Sequence, residues 1–187
     1  MVGGRRPGVV VVAAVLIWSG LVSGPSATAA TRSAVHQRLT SPATGYTFTQ
    51  VSAGNAHTCG VRTTGSVRCW GYNYYGQATP PSGSFSSVSA GRYHTCGVKT
   101  DGTVACWGYN TYGQATPPSG TFTQVAAGDS HTCGLTDTKK VRCWGWAKYR
   151  ALLRPRVKFS QVDAGSQYTC GVRTNQFIVC WGFFARN

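Results

Sequence analysis

Eight cysteines and four histidines hold most of the reactive side chains of this 187-residue chain, and their spacing repeats. Cys59, Cys96, Cys133 and Cys170 lie 37 residues apart, as do Cys69, Cys106, Cys143 and Cys180, so each step carries one Cys-x9-Cys pair. His57, His94 and His131 each stand two positions before the first cysteine of a pair. Imidazole and thiolate at such spacing are zinc ligands, and His-x-Cys-x9-Cys offers three of the four that a tetrahedral site takes. The last repeat breaks that set by placing Tyr168 at the histidine position. The same cysteine spacing also fits a disulfide across a hairpin. Asp129-Ser130-His131 adds the residue types of a nucleophilic relay. Neighbours on a strand point to opposite faces, however, and cannot assemble one.

The compartment decides between thiolate and disulfide chemistry. Residues 1–30 carry Arg5 and Arg6, then an apolar stretch over 9–22, then Ala27-Thr28-Ala29 as a small-x-small cleavage site. That order is the signature of a secretory signal peptide. We expect a mature chain from near Ala30, a leader over 31–47 and a repeat domain over 48–187. In an oxidising compartment an even number of cysteines at fixed spacing is a disulfide framework. Disulfides are therefore expected in place of a metal site, the histidines are expected to bond to backbone at strand starts, and no cofactor is expected.

Charge narrows the partners and the chemistry. Without Arg5 and Arg6 the chain keeps 16 Lys plus Arg against four Asp and no Glu, a formal charge near +12. A surface of that sign favours anionic partners: acidic proteins, cell-wall polymers, anionic lipid or nucleic acid. Asp101, Asp129, Asp137 and Asp163 are the whole carboxylic inventory. An enzyme is hard to assemble from it, and none is expected.

The elements that must hold these residues follow from the same period. Each unit opens on an aromatic, Phe48, Phe85, Phe122 or Phe159, and closes on Val/Ile-x-Cys-Trp-Gly. Runs of Val, Thr, Cys and aromatics bounded by Gly, Pro, Asn and Asp predict short strands and tight turns, an all-β chain of four repeats. Thr100-Asp101-Gly102 suits a type I turn with a glycine bulge. Counting outward from that turn sets Val98 opposite Val104 and Cys96 opposite Cys106, a non-hydrogen-bonded pair within disulfide reach. Lys139 and Gln176 replace the turn glycine in the last two units and are expected at positive φ. The cysteines share a face with Val61, Val98, Leu135 and Val172. The opposite face sets Gly60, Gly97, Gly134 and Gly171 beside Trp70, Trp107, Trp144 and Trp181, which should let a neighbouring unit approach closely.

The run from Ala90 to Gln114, AGRYHTCGVKTDGTVACWGYNTYGQ, resembles the repeat of the regulator of chromosome condensation family, in the cysteine-paired form found in secreted bacterial proteins and some plant receptor ectodomains. The likeness extends over about 48–182. It implies a β-propeller with about four strands per blade, usually seven blades. Four units fall short of that ring, so a four-bladed closure, an open sector that self-associates and a piece of a longer array all stay open. The family's nuclear roles conflict with a signal peptide, and nucleic acid is not an expected partner.

Binding residues are expected where the units differ. Asn55-Ala56, Arg92-Tyr93, Asp129-Ser130 and Ser166-Gln167 vary within an otherwise constant frame. With Tyr74, Tyr75, Tyr112, Trp146 and Tyr149 on neighbouring loops, Asn55, Arg92, Tyr93, Asp129 and Gln167 are candidate contacts for a protein partner, since Tyr, Trp and Arg anchor interfaces. Lys148, Arg150, Arg154, Arg156 and Lys158 form a candidate anion patch. The expected function is a secreted, non-enzymatic propeller module that binds a macromolecule, most readily protein. A basic cell-wall or cell-surface polymer binder is the alternative. A secreted enzyme inhibitor is the further one, by similarity to propeller-type inhibitors of β-lactamases.

Overall fold

Residues 45–146 and 156–183 are described by the computed structural model, and all lie in one compact unit, Gln37–Asn187. The expected signal peptide lies outside the described residues, as do Lys148, Tyr149, Arg150 and Arg154. Twelve strands follow in threes: β1 Phe48–Ala53, β2 His57–Arg62 and β3 Val67–Gly71; β4 Phe85–Ala90, β5 His94–Lys99 and β6 Val104–Gly108. The third set is β7 Phe122–Ala127, β8 His131–Thr136 and β9 Val141–Gly145, and the fourth is β10 Phe159–Ala164, β11 Tyr168–Arg173 and β12 Ile178–Gly182. Each triplet is one antiparallel sheet with its strands in chain order. The all-β repeat architecture is thus as expected, but each described sheet has three strands where the family likeness implied about four. The connector explains the difference. The Asn73 side chain holds it by accepting from Ala78 N–H (2.7 Å) and donating to Thr79 Oγ1 (2.9 Å), so the chain between β3 and β4 turns on itself.

The predicted hairpin register holds in every sheet. Val98 pairs with Val104, Gly97 with Ala105 and Cys96 with Cys106. Gly102 N–H donates to Lys99 C=O and Lys99 N–H to Thr103 C=O, closing the type I turn and its bulge. Lys139 and Gln176 take positive φ at 62° and 70°, as their replacement of the turn glycine requires. All four pairs, Cys59–Cys69, Cys96–Cys106, Cys133–Cys143 and Cys170–Cys180, are disulfides with Cα atoms 4.0–4.1 Å apart. Reduction should therefore add eight hydrogens to the intact mass, and eight free thiols in untreated protein would refute the bridges. Replacing Cys96 and Cys106 together by Ala is expected to lower the urea-unfolding free energy by about 2–3 kcal/mol, from loop entropy returned to the unfolded chain.

Sheets stack face to face. The disulfide face of one sheet receives Phe, Val and Trp from the next: Cys59 and Val61 pack with Phe85, Val88 and Trp107. Cys96 and Val98 pack likewise with Phe122, Val125 and Trp144, and Cys133 and Leu135 with Phe159, Val162 and Trp181. The glycines of the second strands act differently from expectation. A Cβ on Gly97 would lie 2.7 Å from the Phe85 ring of its own sheet, and one on Gly134 2.6 Å from Phe122. The missing side chain makes room for the sheet's own phenylalanine, and it is the ring that meets the neighbour. A one-residue register shift follows that Phe in every first strand. The Ser or Thr at the shift, such as Thr123, donates its hydroxyl across the sheet to Leu135 C=O.

Polar groups stitch the same junctions. Gln50 grips the backbone of Val88, accepting its N–H (2.8 Å) and donating to its C=O (3.2 Å), and Gln124 accepts Val162 N–H (3.0 Å). Ser52 and Ser89 accept the N–H groups of Ala90 and Ala127. At the turn end, Gly65, Gly102 and Lys139 carbonyls accept from Phe85, Phe122 and Phe159 N–H.

Candidate functional site

The histidines are structural and bond across sheets, not to the backbone as expected. His57 Nε2 lies 2.7 Å from Thr95 Oγ1, His94 Nε2 2.8 Å from Thr132 Oγ1 and His131 Nε2 2.8 Å from Thr169 Oγ1. Thr95 and Thr132 spend their single proton on Gln77 and Gln114 carbonyls, 3.0 and 2.9 Å away. A hydroxyl has one proton to give. His57 and His94 therefore donate from Nε2, and in both rings Nδ1 is buried without a hydrogen-bond partner, a site that disfavours a second proton and keeps the ring neutral. The same glutamine carbonyls accept Trp107 and Trp144 Nε1–H at 2.9 Å, which explains why the Gly-Gln of the first two connectors ends fully buried. Among the described residues no three His, Cys, Asp or Glu side chains converge as metal ligands. Asp129 and His131 are also apart in function. Asp129 Oδ2 accepts from Ser166 Oγ (2.6 Å) and Arg92 Nη1 (3.4 Å), while His131 faces Thr169.

The variable positions gather at one end of the stack. Asn55, Arg92, Asp129 and Ser166 line an open cavity of about 260 Å³, together with the Ala-Gly before each. Main-chain bonds step from unit to unit around it: Asn55 N–H to Gly91 C=O, Arg92 N–H to Gly128 C=O and Asp129 N–H to Ser166 C=O. A Cβ on Gly54, Gly91 or Gly128 would lie within 2.4–2.5 Å of the next carbonyl, so glycine is what lets the loops touch. Side chains of changing chemistry therefore stand on a fixed rim. Arg92, Asp129 and Ser166 form one linked polar row across three units, and Arg92 also covers the Tyr93 ring at 5.1 Å. The Arg92–Asp129 pair is exposed and adds little stability.

Beside this rim runs a continuous aromatic strip. Tyr74 meets Tyr75 at 4.9 Å, Tyr75 meets both Tyr93 (5.4 Å) and Tyr109 (4.9 Å), Tyr109 meets Tyr112 (6.1 Å), and Tyr112 stacks on Trp146 (5.3 Å). Tyr74 is 78% exposed, and Tyr72, Tyr75 and Tyr112 are 40–45% exposed. The structure thus brings Tyr74, Tyr75, Tyr93, Tyr112 and Trp146 together beside Asn55, Arg92 and Asp129. Gln167 takes the place in unit four that Tyr93 has in unit two, and its carbonyl accepts from Phe183 N–H. Sequence reasoning passed over the hydroxyl of Ser166 as a partner of Asp129. The signal was available, because the two positions are 37 residues apart.

Of the candidate anion patch, Arg156 and Lys158 lie among the described residues. Arg156 joins Lys140 and Arg142 on a cavity of about 550 Å³ at the turn end, with Asp137 on its wall. Arg142 is already engaged there, donating to Ser119 C=O at 2.6 Å.

The regulator of chromosome condensation (RCC1) repeat matches residues 48–77, 85–114 and 122–149. No curated protein matches the chain. Among solved structures, the CRINKLY WD40 ectodomain of the Arabidopsis thaliana receptor kinase ACR4 is similar at 30% identity over 73% of this chain and 50% of that one, TM-score 0.63. The ectodomain of the Physcomitrella patens receptor kinase CR4 is similar at 29% identity over 78% of this chain and 44% of that one, TM-score 0.69. Yeast RCC1 (Prp20), solved bound to Kap60, shares the fold at 18% identity over 75% of this chain and 45% of that one, TM-score 0.67. The chain spans about half the length of these solved chains.

Proposed function

Because the chain is built on regulator of chromosome condensation repeats, a rigid scaffold with one variable end, we propose that it is a secreted, non-enzymatic module that binds another protein through its tyrosine-lined end. The observation that carries this reading is the unbroken strip from Tyr74 to Trp146 lying beside the Arg92–Asp129–Ser166 row. Aromatic and arginine side chains fixed in advance lose little conformational freedom on binding and anchor interfaces strongly. Four disulfides suit the oxidising compartment to which the N-terminal residues would send the chain. A target enzyme blocked in stoichiometric fashion is the sharper form of the same proposal.

Crosslinking from the native extracellular fraction, with the wild-type chain and its Tyr75→Ala and Tyr112→Ala variants as baits, tests it. One protein should be captured, and each substitution should weaken its binding about tenfold or more. Lys140, Arg142 and Arg156 around their cavity favour the second reading, an anionic polymer ligand. Capture of anionic glycopolymer alone, with affinity falling steeply as salt rises, would select that reading and overturn the first.

A further inference from the structure

Each junction between sheets has two unlike halves, and the stack leaves one of each uncovered. The disulfide face of a sheet is one half, and the Phe-Val-Trp face is the other. On the first sheet Val51 is 65% exposed, whereas Val88, Val125 and Val162 at the same position are 1–6% exposed. On the last sheet Ile178 is 70% exposed, whereas Val141 at the same position is 3% exposed. We infer that a second copy of this chain covers both faces, seating its first sheet on the last sheet of its partner, with the reciprocal contact closing a two-chain ring.

Three junctions already built set the fit. The exposed face of β10–β12 holds a groove of about 110 Å³ lined by Gln161, Asp163, Cys170, Val172 and Ile178, on the side where the earlier sheets receive Phe, Val and Trp. The insert exists preformed. Phe48 and Trp70 stand edge to face at 6.0 Å, as do Phe85 and Trp107 and also Phe122 and Trp144. Polar groups extend the same series. Gln161 occupies the position from which Gln50 and Gln124 clip the valine of the next sheet, so its amide is placed for the backbone of Val51 in the second copy. The turn carbonyls of Gly65, Gly102 and Lys139 accept from the next phenylalanine N–H, which sets the Gln176 carbonyl against Phe48 N–H. Two members change: Tyr168 replaces the histidine that would meet Thr58, and Asp163 stands where Ser52 and Ser89 accept the next N–H.

Such a contact is heterologous, and two copies joined both ways close on themselves. Surface occupied by the tyrosine strip is not consumed, so self-association and partner capture fail independently. Sedimentation velocity of the oxidised chain up to about 100 µM should show a two-chain species. Val51→Arg and Ile178→Arg, both at exposed positions, should each give monomers, since each spoils one half of every contact. Mixing the two variants restores one intact junction and should give a mixed pair, weaker than the wild-type dimer. A monomeric wild type, whatever other molecule then covers the faces, would overturn the inference. Dimerisation of either variant alone at wild-type strength, or a ladder of species beyond two chains, would overturn it as well.

Discussion

Lowering the pH from 7 to 4.5 is expected to remove on the order of 5 kcal/mol of folding stability, through the buried histidines. Burial pushes His94 down to about 3, with His131 and His57 adding to the shift, and burial pushes His131 down to about 4 against the raising effect of Asp129. His57 is lowered as well by burial. The structural cause is visible at Nδ1, which is buried and unpartnered in His57 and His94. A proton placed there would bring a charge and a donor into a site with no acceptor. In the unfolded chain the same groups take up protons near 6.5. Their contribution is therefore complete above 6.5 and is lost as the pH falls toward the folded values. Each histidine gives a slope of about 1.4 kcal/mol per pH unit inside that window.

Carboxylates are few here. The chain has four Asp and no Glu. Asp101 is lowered from the ordinary carboxylate value by the Thr103 hydroxyl and then by its N–H. Urea unfolding without reductant at pH 7.5, 6.5, 5.5 and 4.5 measures the slope. His94→Gln should reduce it by about 1.4 kcal/mol per unit. Stability that stays level from pH 7 to 4.5 would show that these rings are not held neutral.

Phe122→Ala should cost about 3–5 kcal/mol, the upper range for a core truncation. Phe122 is 1% exposed, fills the space over Gly134, meets Trp144 edge to face and seals the disulfide face of the preceding sheet. Gly134→Ala attacks the same contact from below. Its methyl would lie 2.6 Å from the ring and 3.3 Å from Trp144, so overpacking should cost about 1–3 kcal/mol. Phe48→Ala in the first sheet, measured in the monomeric Val51→Arg background, is the comparison, because that ring is there only partly covered and its loss should cost clearly less. Equal costs at positions 48 and 122 would mean that the junctions do not carry the stability.

The hairpins were legible in the sequence because their information is local. A turn of three residues and a period of two place Cys96 against Cys106, and they do so at the same offset in every unit. Positive φ at Lys139 and Gln176 was legible for the same reason. What lies between sheets was not. His57 reaches Thr95, one repeat and one residue onward, and no local pattern states that offset. Glycine beside tryptophan correctly indicated close packing, but not that the sheet's own Phe takes the space. At the candidate site, variation between units located the rim. The linking of Arg92, Asp129 and Ser166 into one row needed the stacking of the sheets to be seen.

Each disulfide closes a separation of only ten residues. Eight cysteines admit about a hundred connectivities, and nearly all would mate distant partners. Here the nearest turn chooses each mate, so oxidation of one hairpin needs nothing from the others. The principal contacts between the described sheets likewise run to the adjoining unit, which keeps loop-closure costs small. A chain delivered N-terminus first could thus be finished in instalments, each hairpin oxidised as it arrives and then roofed by its successor.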